Sequence, residues 1–171
     1  MVGELSSSMH ALVEADDLGH FETARILFEE YASQLGVNLC FQDFTAELHQ
    51  LPIMYGPPSG CLVLVSSGSA AVGCGALRRL ADGICEMKRL YIQREERGLN
   101  LGRRVAEYLV DKARSLGYQK MRLDTLVEMT AARNLYRSLG FREIAPYYNN
   151  PLSNTVYMEL SLRSAESAAQ P

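Results

Sequence analysis

The chain has 171 residues, of which 47% are hydrophobic and 22% charged, and its net charge is −3 at pH 7. Its length suits one compact domain, and its weakly acidic balance without a basic cluster argues against a nucleic-acid partner. No apolar run approaches the roughly 20 residues that span a bilayer, and the N-terminus lacks a signal-peptide pattern, so we expect a cytoplasmic protein with no membrane partner.

The first 60 residues predict a strand followed by two helices. Residues 9–15 form a short apolar segment that is typical of a strand. Apolar residues then recur every three or four positions up to Leu35, which predicts a helix that Gly36 ends. A second, short helix carries Phe41 and Leu48, with Pro52 expected to end it. Residues 55–60 have the composition of a loop.

The rest of the chain predicts a sheet interrupted by two helices. Three strands follow one another over residues 61–65, 70–77 and 84–92. A helix over residues 101–116 ends at Gly117, and a second helix covers residues 130–139. Further strands are expected over residues 121–126, 141–144 and 155–160. Successive strands favour antiparallel pairing and the later β-α-β unit favours a parallel pair, within a single domain of residues 1–162 and a disordered tail of residues 163–171.

The cysteines and histidines are not spaced like metal ligands, so we expect no metal. Cys40, Cys61, Cys74 and Cys85 form no C-x-x-C pair. Three of them lie in apolar strand-like runs, where a reduced cysteine behaves as a small buried hydrophobic residue.

The junction between the strand at 84–92 and the helix at 101–116 could hold a pyrophosphate. The first N–H groups of a helix lack partners within the helix, and its dipole is positive there. Gly98 and Gly102 would let the backbone approach the phosphates, and Asn100 tolerates a positive φ. Arginines at 97, 103 and 104 add charge at the rim. The glycines could equally form only a tight turn, and the arginines only a solvated surface; the motif is neither a Walker loop nor G-x-G-x-x-G.

Two motifs in this order resemble the GNAT superfamily of N-acetyltransferases. The family signature R/Q-x-x-G-x-G/A reads R-G-L-N-L-G over residues 97–102, with Asn100 where glycine is usual. The pattern A-x-x-L-Y-x-x-x-G-F is matched over residues 132–141, and Met129 replaces an Asn that often precedes it. Residues 86–92 are typical of the family's fourth strand. The resemblance covers residues 62–160, whereas residues 1–60 match only in their β-α-α order.

The resemblance implies an α/β (α+β) fold and acetyl-CoA as co-substrate. The expected sheet is mixed and mostly antiparallel, with six to seven strands, a V-shaped splay between strands 4 and 5, and about four flanking helices. Glu86 and Lys88 share an alternation phase with Leu90 and Ile92, a change from polar to apolar that a bulge in the fourth strand would resolve. The residues implied to bind the cofactor are Leu90, Tyr91, Ile92, Arg97, Gly98, Leu99, Asn100, Leu101, Gly102 and Arg103.

Two catalytic residues follow from the resemblance. Tyr136 would donate a proton to the leaving thiolate, since a phenol and a thiol have similar ordinary pKa values; alternatively, its ring only packs in the core. Glu86 would be the general base, directly or through a water, with burial expected to raise its pKa; alternatively, it is a solvated or ion-paired glutamate. The backbone N–H of Leu90 would polarise the acetyl carbonyl.

The acceptor is expected to be a primary amine of a small molecule or amino acid. Its pocket would be walled by the turn at 36–41 and the loops at 54–58 and 146–154, which offer Tyr55, Tyr147, Tyr148, Asn149 and Asn150. Two other functions stay open: acetylation of protein N-termini or lysines, and a catalytically silent acyl-CoA sensor. Specificity resides in loops grafted on a shared fold, so the sequence does not identify the acceptor. Dimerisation is common among such domains, so a homodimer is a further possibility.

Overall fold

The fold is a seven-stranded sheet with helices on both faces, in a computed structural model that describes residues 10–36 and 43–162. The elements are β1 (His10–Glu14), α1 (Leu18–Leu35), α2 (Phe44–His49), α3 (Leu51–Tyr55), β2 (Cys61–Ser67), β3 (Ala70–Ala81), β4 (Ile84–Ile92), α4 (Leu101–Ser115), β5 (Lys120–Leu126), α5 (Thr130–Ser138), β6 (Arg142–Ile144) and β7 (Thr155–Ser161). Cys40, Phe41 and the expected tail at 163–171 lie outside the described residues.

The strand order is β1-β2-β3-β4-β5-β7-β6. The β4–β5 pair is parallel, and each of the other neighbouring pairs is antiparallel. This confirms the expected mixed, mostly antiparallel sheet.

The end of the second helical segment differs from the prediction. Pro52 does not end a helix but lies in the first turn of α3. The first turn tolerates proline because its N–H groups have no partners within the helix. As a result Tyr55, which was expected in a loop, is the last residue of α3 and is fully buried.

The sheet separates two hydrophobic cores. One core joins the sheet to α4 and α5, and includes Met87, Leu109, Leu123 and Tyr136. The other lies beneath α1, α2 and α3 on the opposite face. Leu90 and Ile92 pack against the first core, whereas Tyr91 belongs to the second.

A bulge in β4 produces this arrangement. Cys74 pairs with Tyr91 and Ala76 pairs with Lys88, so two steps along β3 face three along β4. Arg89 occupies the extra position with φ 58. The bulge that the resemblance implied, and with which the polar-to-apolar change agrees, is therefore confirmed. It puts Lys88 and Arg89 on one face while Leu90 returns to the other.

The predicted splay between β4 and β5 is also present. Pairing joins Ile84–Glu86 to Lys120–Arg122 and then stops, although β4 continues to Ile92 and β5 to Leu126. Beyond that point the facing edges of the two strands are not paired with each other.

Three cysteines are confirmed as buried free thiols. Cys61, Cys74 and Cys85 each lie in a strand with little or no exposure. Burial raises the pKa of the Cys61 and Cys85 thiols to about 12. At neutral pH they are therefore protonated and poorly nucleophilic. Among the helices of the described residues, none has the length and apolarity to cross a membrane.

Candidate active site

A cleft opens where β4 and β5 separate. Its walls come from both strands, the last turns of α1, α5, and the loop between β6 and β7. The lining side chains include Tyr31, Lys88, Arg89, Leu90, Asp124, Tyr136 and Asn150.

The two faces of the sheet differ in chemistry at this cleft. Met87 and Leu123 pack in the core beneath α4 and α5. Because side chains alternate along a strand, Lys88 and Asp124 point to the opposite face, where Arg89 also lies. We call the side of the sheet that carries Glu86, Lys88, Arg89 and Asp124 the charged face. The opposite side, which carries α4 and Tyr136, is called the α4 face.

The N-terminus of α4 has the geometry expected of a phosphate cradle. Gly98 and Asn100 have φ angles of 88 and 61, so each adopts a left-handed conformation, which asparagine tolerates better than most residues with a side chain. Asn100 is the N-cap residue, but its side chain makes no capping hydrogen bond. A Cβ atom added to Gly102 would lie 3.9 Å from Leu135 and 4.0 Å from Ile92, so this position is open. The first-turn N–H groups of α4 can therefore meet an anion.

The arginines of this region have partners within the protein. Arg97 donates from Nε to the carbonyl of Ile92 at 3.0 Å, which closes the loop against the end of β4. Arg103 donates to the hydroxyl of Ser138 at 2.6 Å and so joins α4 to α5. Of the other expected cradle residues, Leu101 is buried and Leu99 is exposed.

Tyr136 lines the cleft from α5 on the α4 face. Its ring packs against Phe141 with 5.7 Å between the centroids. Its hydroxyl makes no hydrogen bond to a residue that the structure describes. Burial raises the pKa of Tyr136, so the phenol is protonated at neutral pH.

Glu86 is buried on the charged face and is held from two sides. Arg78 donates to Oε2 at 2.8 Å, and Tyr147 donates to Oε1 at 2.8 Å. The ion-paired arrangement that the sequence left open is therefore present. Glu86 is not among the side chains that line the cleft, and Tyr147 already occupies one of its carboxylate oxygens.

A buried ion pair anchors the bulge, and the sequence did not indicate it. Arg89 donates from Nε to Glu47 of α2 at 3.0 Å and from a terminal nitrogen at 2.6 Å. Tyr55 donates to the same carboxylate at 2.6 Å, and the guanidinium lies 5.1 Å from the ring centre of Phe44. Tyr55 therefore supports the bulge from beneath. Its hydroxyl is used by Glu47, whereas it had been expected to contact the amine substrate.

A second ionic cluster, which was also missed, lies inside the cleft. Lys88 and Asp124 face each other across the splay with 3.8 Å between Nζ and Oδ1. Tyr148 donates a hydrogen bond to Asp124, and Asn150 donates to the hydroxyl of Tyr148 at 2.8 Å. The expected loop at 146–154 thus reaches the cleft through Tyr148 and Asn150. Charged residues in otherwise apolar strands were the available signal for Lys88, Arg89 and Asp124.

Comparison with known proteins identifies the family. A model described as the acetyltransferase (GNAT) family matches residues 24–141, which include β4, β5 and both motifs. The chain belongs to the GNAT acetyltransferase family. As a GNAT protein it is an acetyl-CoA-dependent N-acyltransferase.

Relatives and solved structures agree with this GNAT assignment. An uncharacterised N-acetyltransferase of Schizosaccharomyces pombe is 39% identical over 157 residues, 91% of this chain and 94% of its own. The IAA acetyltransferase of Azospirillum brasilense is 36% identical over 119 residues, 67% of this chain and 76% of its own.

Among solved structures, a GNAT acetyltransferase of Staphylococcus aureus has a TM-score of 0.76 at 17% identity, covering 91% of this chain and all of its own. An acetyltransferase of Salmonella typhimurium, solved with acetyl-CoA, has a TM-score of 0.65 at 20% identity, covering 96% and 98%. At these identities the two structures show a shared fold.

Proposed function

We propose that this enzyme transfers the acetyl group of acetyl-CoA directly to a primary amine of a small molecule or amino acid. The observation that carries the proposal is the cleft itself, which passes through the sheet between the α4 face and the charged face. An acyl donor can lie on one side and an amine on the other, so that the amine nitrogen can reach the thioester carbonyl.

Acetyl-CoA is assigned to the α4 face. The open position at Gly102 and the uncapped first turn of α4 support a pyrophosphate there. The free edge of β4 after the bulge supports a pantetheine arm bound in the manner of an added strand. The residues proposed to bind acetyl-CoA are 90–92 and 97–103. The N–H of Leu90 would polarise the acetyl carbonyl.

The reaction forms one bond and breaks one. The ammonium group of the acceptor first loses a proton, and its nitrogen then attacks the thioester carbon. As the nitrogen–carbon bond forms, the carbon–sulfur bond breaks, and Tyr136 donates its proton to the thiolate to give free CoA. The second proton of the amine then leaves, and Tyr136 regains a proton from solvent, so the overall reaction releases one proton.

Glu86 is the proposed general base, acting through Tyr147. The hydroxyl of Tyr147 already donates to Glu86 at 2.8 Å, so a proton taken from the amine by that oxygen could pass to the carboxylate. The ion pair with Arg78 opposes this role, because a guanidinium N–H donor already occupies Oε2 of the carboxylate.

A turnover assay separates the three candidate functions. Thiol release is measured with acetyl-CoA and single acceptors: free amino acids, simple amines, and peptides with a free N-terminus or an internal lysine. We expect turnover with small amines and little with peptides. Preference for peptides would favour a protein acetyltransferase, and CoA binding without turnover would favour a sensor. We also propose that the protein acts in the cytoplasm.

A further inference from the structure

Two carboxylates project from β4 and β5 on the charged face, and they differ in their access to an incoming amine. Both oxygens of Glu86 accept hydrogen bonds within the protein, and its side chain is 2% exposed. The side chain of Asp124 is 15% exposed and lines the cleft, whereas Glu86 does not line it. An amine in the cleft can therefore reach Asp124 more directly than Glu86.

Asp124 can accept a further hydrogen bond although it already has partners. Tyr148 donates a hydrogen bond to its carboxylate, and the nitrogen of Lys88 lies 3.8 Å from Oδ1. An ionised carboxylate offers about four acceptor positions, so these contacts do not saturate it. Asn150 donates to the hydroxyl of Tyr148 at 2.8 Å, which helps to fix the carboxylate before a substrate arrives.

A phenol on α1 lines the same cleft. The ring of Tyr31 packs against that of Tyr91, with 5.9 Å between the centroids. Burial raises the pKa of Tyr31 to about 12, although the charge of Arg89 opposes the increase and that of Asp124 adds to it. The phenol is therefore protonated at neutral pH and lies within electrostatic range of Asp124. Its oxygen can accept a hydrogen bond from a nitrogen that contacts the carboxylate.

We infer that Asp124 and Tyr31 bind the ammonium group of the acceptor, with Asp124 as the charged partner. This inference rests on the proposed function and defines what its acceptor site recognises, which is a protonated primary amine. One N–H of the ammonium group would donate to the carboxylate and another to the phenol oxygen. The third N–H remains for the proton loss that precedes attack on the thioester.

Such a site would select amines over alcohols of the same shape. A hydroxyl group is neutral and has a single hydrogen to donate, so it gains no attraction between opposite charges at Asp124. The carboxylate is shielded from water, which makes a charge-assisted hydrogen bond to it more favourable than one at the protein surface. Discrimination would therefore arise from the charge of Asp124 and not from the size of the cleft.

The test measures affinity for each amine that supports turnover and for the alcohol of the same skeleton, for example L-alanine with L-lactic acid and butylamine with butanol. Calorimetry is performed on the enzyme saturated with CoA, which carries no acetyl group to transfer. In wild type we expect each amine to bind about tenfold or more tightly than its alcohol.

Substitutions assign this preference to individual residues. Asp124→Asn keeps the shape of the side chain and removes its charge, so the affinity ratio should fall close to one, and Asp124→Glu should restore part of it. Tyr31→Phe should weaken amine binding by a smaller factor. Glu86→Gln should leave the ratio unchanged. The matched control is Asp111→Asn, which removes an exposed carboxylate of α4 and should also leave it unchanged.

Steady-state kinetics separate binding from a supporting role. If Asp124 binds the ammonium group, Asp124→Asn should act mainly by raising KM for the amine, with a much smaller change in kcat. If Asp124 only holds the loop that carries Tyr148, affinities for amine and alcohol should fall by the same factor, which would overturn this inference.

Two further results would overturn it while leaving an amine acetyltransferase in place. One is equal affinity for amine and alcohol in wild type, a result that does not depend on any variant. The other is an amine preference that survives Asp124→Asn. CoA binding without turnover on any amine would instead overturn the proposed function.

Discussion

Arg89 adopts a conformation that non-glycine residues rarely keep without support. Its φ of 58 lies in the left-handed region, which costs roughly 1–2 kcal/mol for a residue with a Cβ atom. Glu47 and Phe44 of α2 compensate by binding its guanidinium. The bulge, and with it the open edge of β4, is therefore held in place by a helix on the charged face.

The family resemblance implied this bulge and the strand pattern agreed with it, but neither indicated its anchor. The change from Glu86 and Lys88 to Leu90 and Ile92 violates strand alternation, and an inserted residue restores it. Glu47 stands 42 residues away on a short polar helix, and nothing in its local pattern distinguishes a buried glutamate from a solvated one. Partners brought together only by tertiary packing leave no such local signal.

Tyr136 gives the most direct test of the chemistry. Tyr136→Phe keeps the ring that packs on Phe141 and removes only the hydroxyl. If that hydroxyl protonates the thiolate, turnover should fall by roughly one to three orders of magnitude while CoA affinity changes little. Steady-state kinetics and calorimetry measure the two quantities. Normal turnover in the variant would leave the tyrosine with a packing role alone.

Glu86 can be tested against its own ion-pair partner. Glu86→Gln keeps the size of the side chain but cannot accept a proton, whereas Arg78→Met removes the partner and leaves the carboxylate. If Glu86 is the general base, kcat should fall far more in Glu86→Gln than in Arg78→Met, by roughly 10²-fold relative to wild type. A structural role predicts a similar loss of melting temperature in both variants with comparable, small changes in kcat. Melting curves recorded with the kinetics distinguish these outcomes.

At the scale of elements, β4 and α4 were the best predicted parts of the chain. The strand over residues 84–92 matches β4 at both ends, and the helix start at Leu101 is also correct. A strong helical period marks α4, and glycine-containing turns lie on both sides of each element. The α2–α3 region was predicted less well because a proline suits the first turn of a helix as well as the end of one.

At Gly102, in the first turn of α4, two substitutions can distinguish the effect of side-chain bulk on CoA binding from the effect of negative charge. Gly102 has room for a side chain, so neither Gly102→Gln nor Gly102→Glu should disturb the fold. Both add bulk where we expect the pyrophosphate, but only the glutamate adds a negative charge at the helix N-terminus. Calorimetry should show weaker CoA binding for the glutamine variant and none for the glutamate variant, compared with about −8 kcal/mol for a micromolar wild type. Wild-type affinity in Gly102→Glu would place the cofactor elsewhere.

At the scale of the whole molecule, the cleft depends on the two hydrophobic cores that pack on opposite faces of the sheet where β4 and β5 separate. Pairing of β4 with β5 ends at Glu86 and Arg122, so beyond it the two strands are held apart by what packs on each face. On the α4 face this is the core around Leu109 and Tyr136. On the charged face it includes the Glu47–Arg89 ion pair. The mixed, mostly antiparallel sheet and the splay followed from the family resemblance. The ion pairs that line the cleft depended instead on which side chains the fold brings together.

The Glu47–Arg89 pair should make stability depend on pH. Burial alone would raise the pKa of Glu47, but the guanidinium of Arg89 and the hydroxyl of Tyr55 hold it below its usual value. A carboxylate with a lower pKa in the folded protein contributes stability above its unfolded-state pKa, about 4.3. That contribution is lost as the pH falls through the folded-state pKa, so acid should weaken the fold progressively below about pH 5.

Glu47→Gln tests this dependence because glutamine keeps the size of the side chain and one acceptor oxygen but cannot titrate. At pH 7 the variant should be less stable by about 3–5 kcal/mol, since Arg89 stays buried without an opposite charge. Between pH 6 and pH 3, however, urea unfolding should show a smaller loss of stability in the variant than in wild type. Glu22→Gln, which removes a glutamate on the exposed surface of α1, is the matched control and should follow the wild-type slope. If the slopes of wild type and Glu47→Gln coincide, Glu47 is already protonated in the folded protein, and the anchor beneath the bulge is a hydrogen bond to a neutral acid.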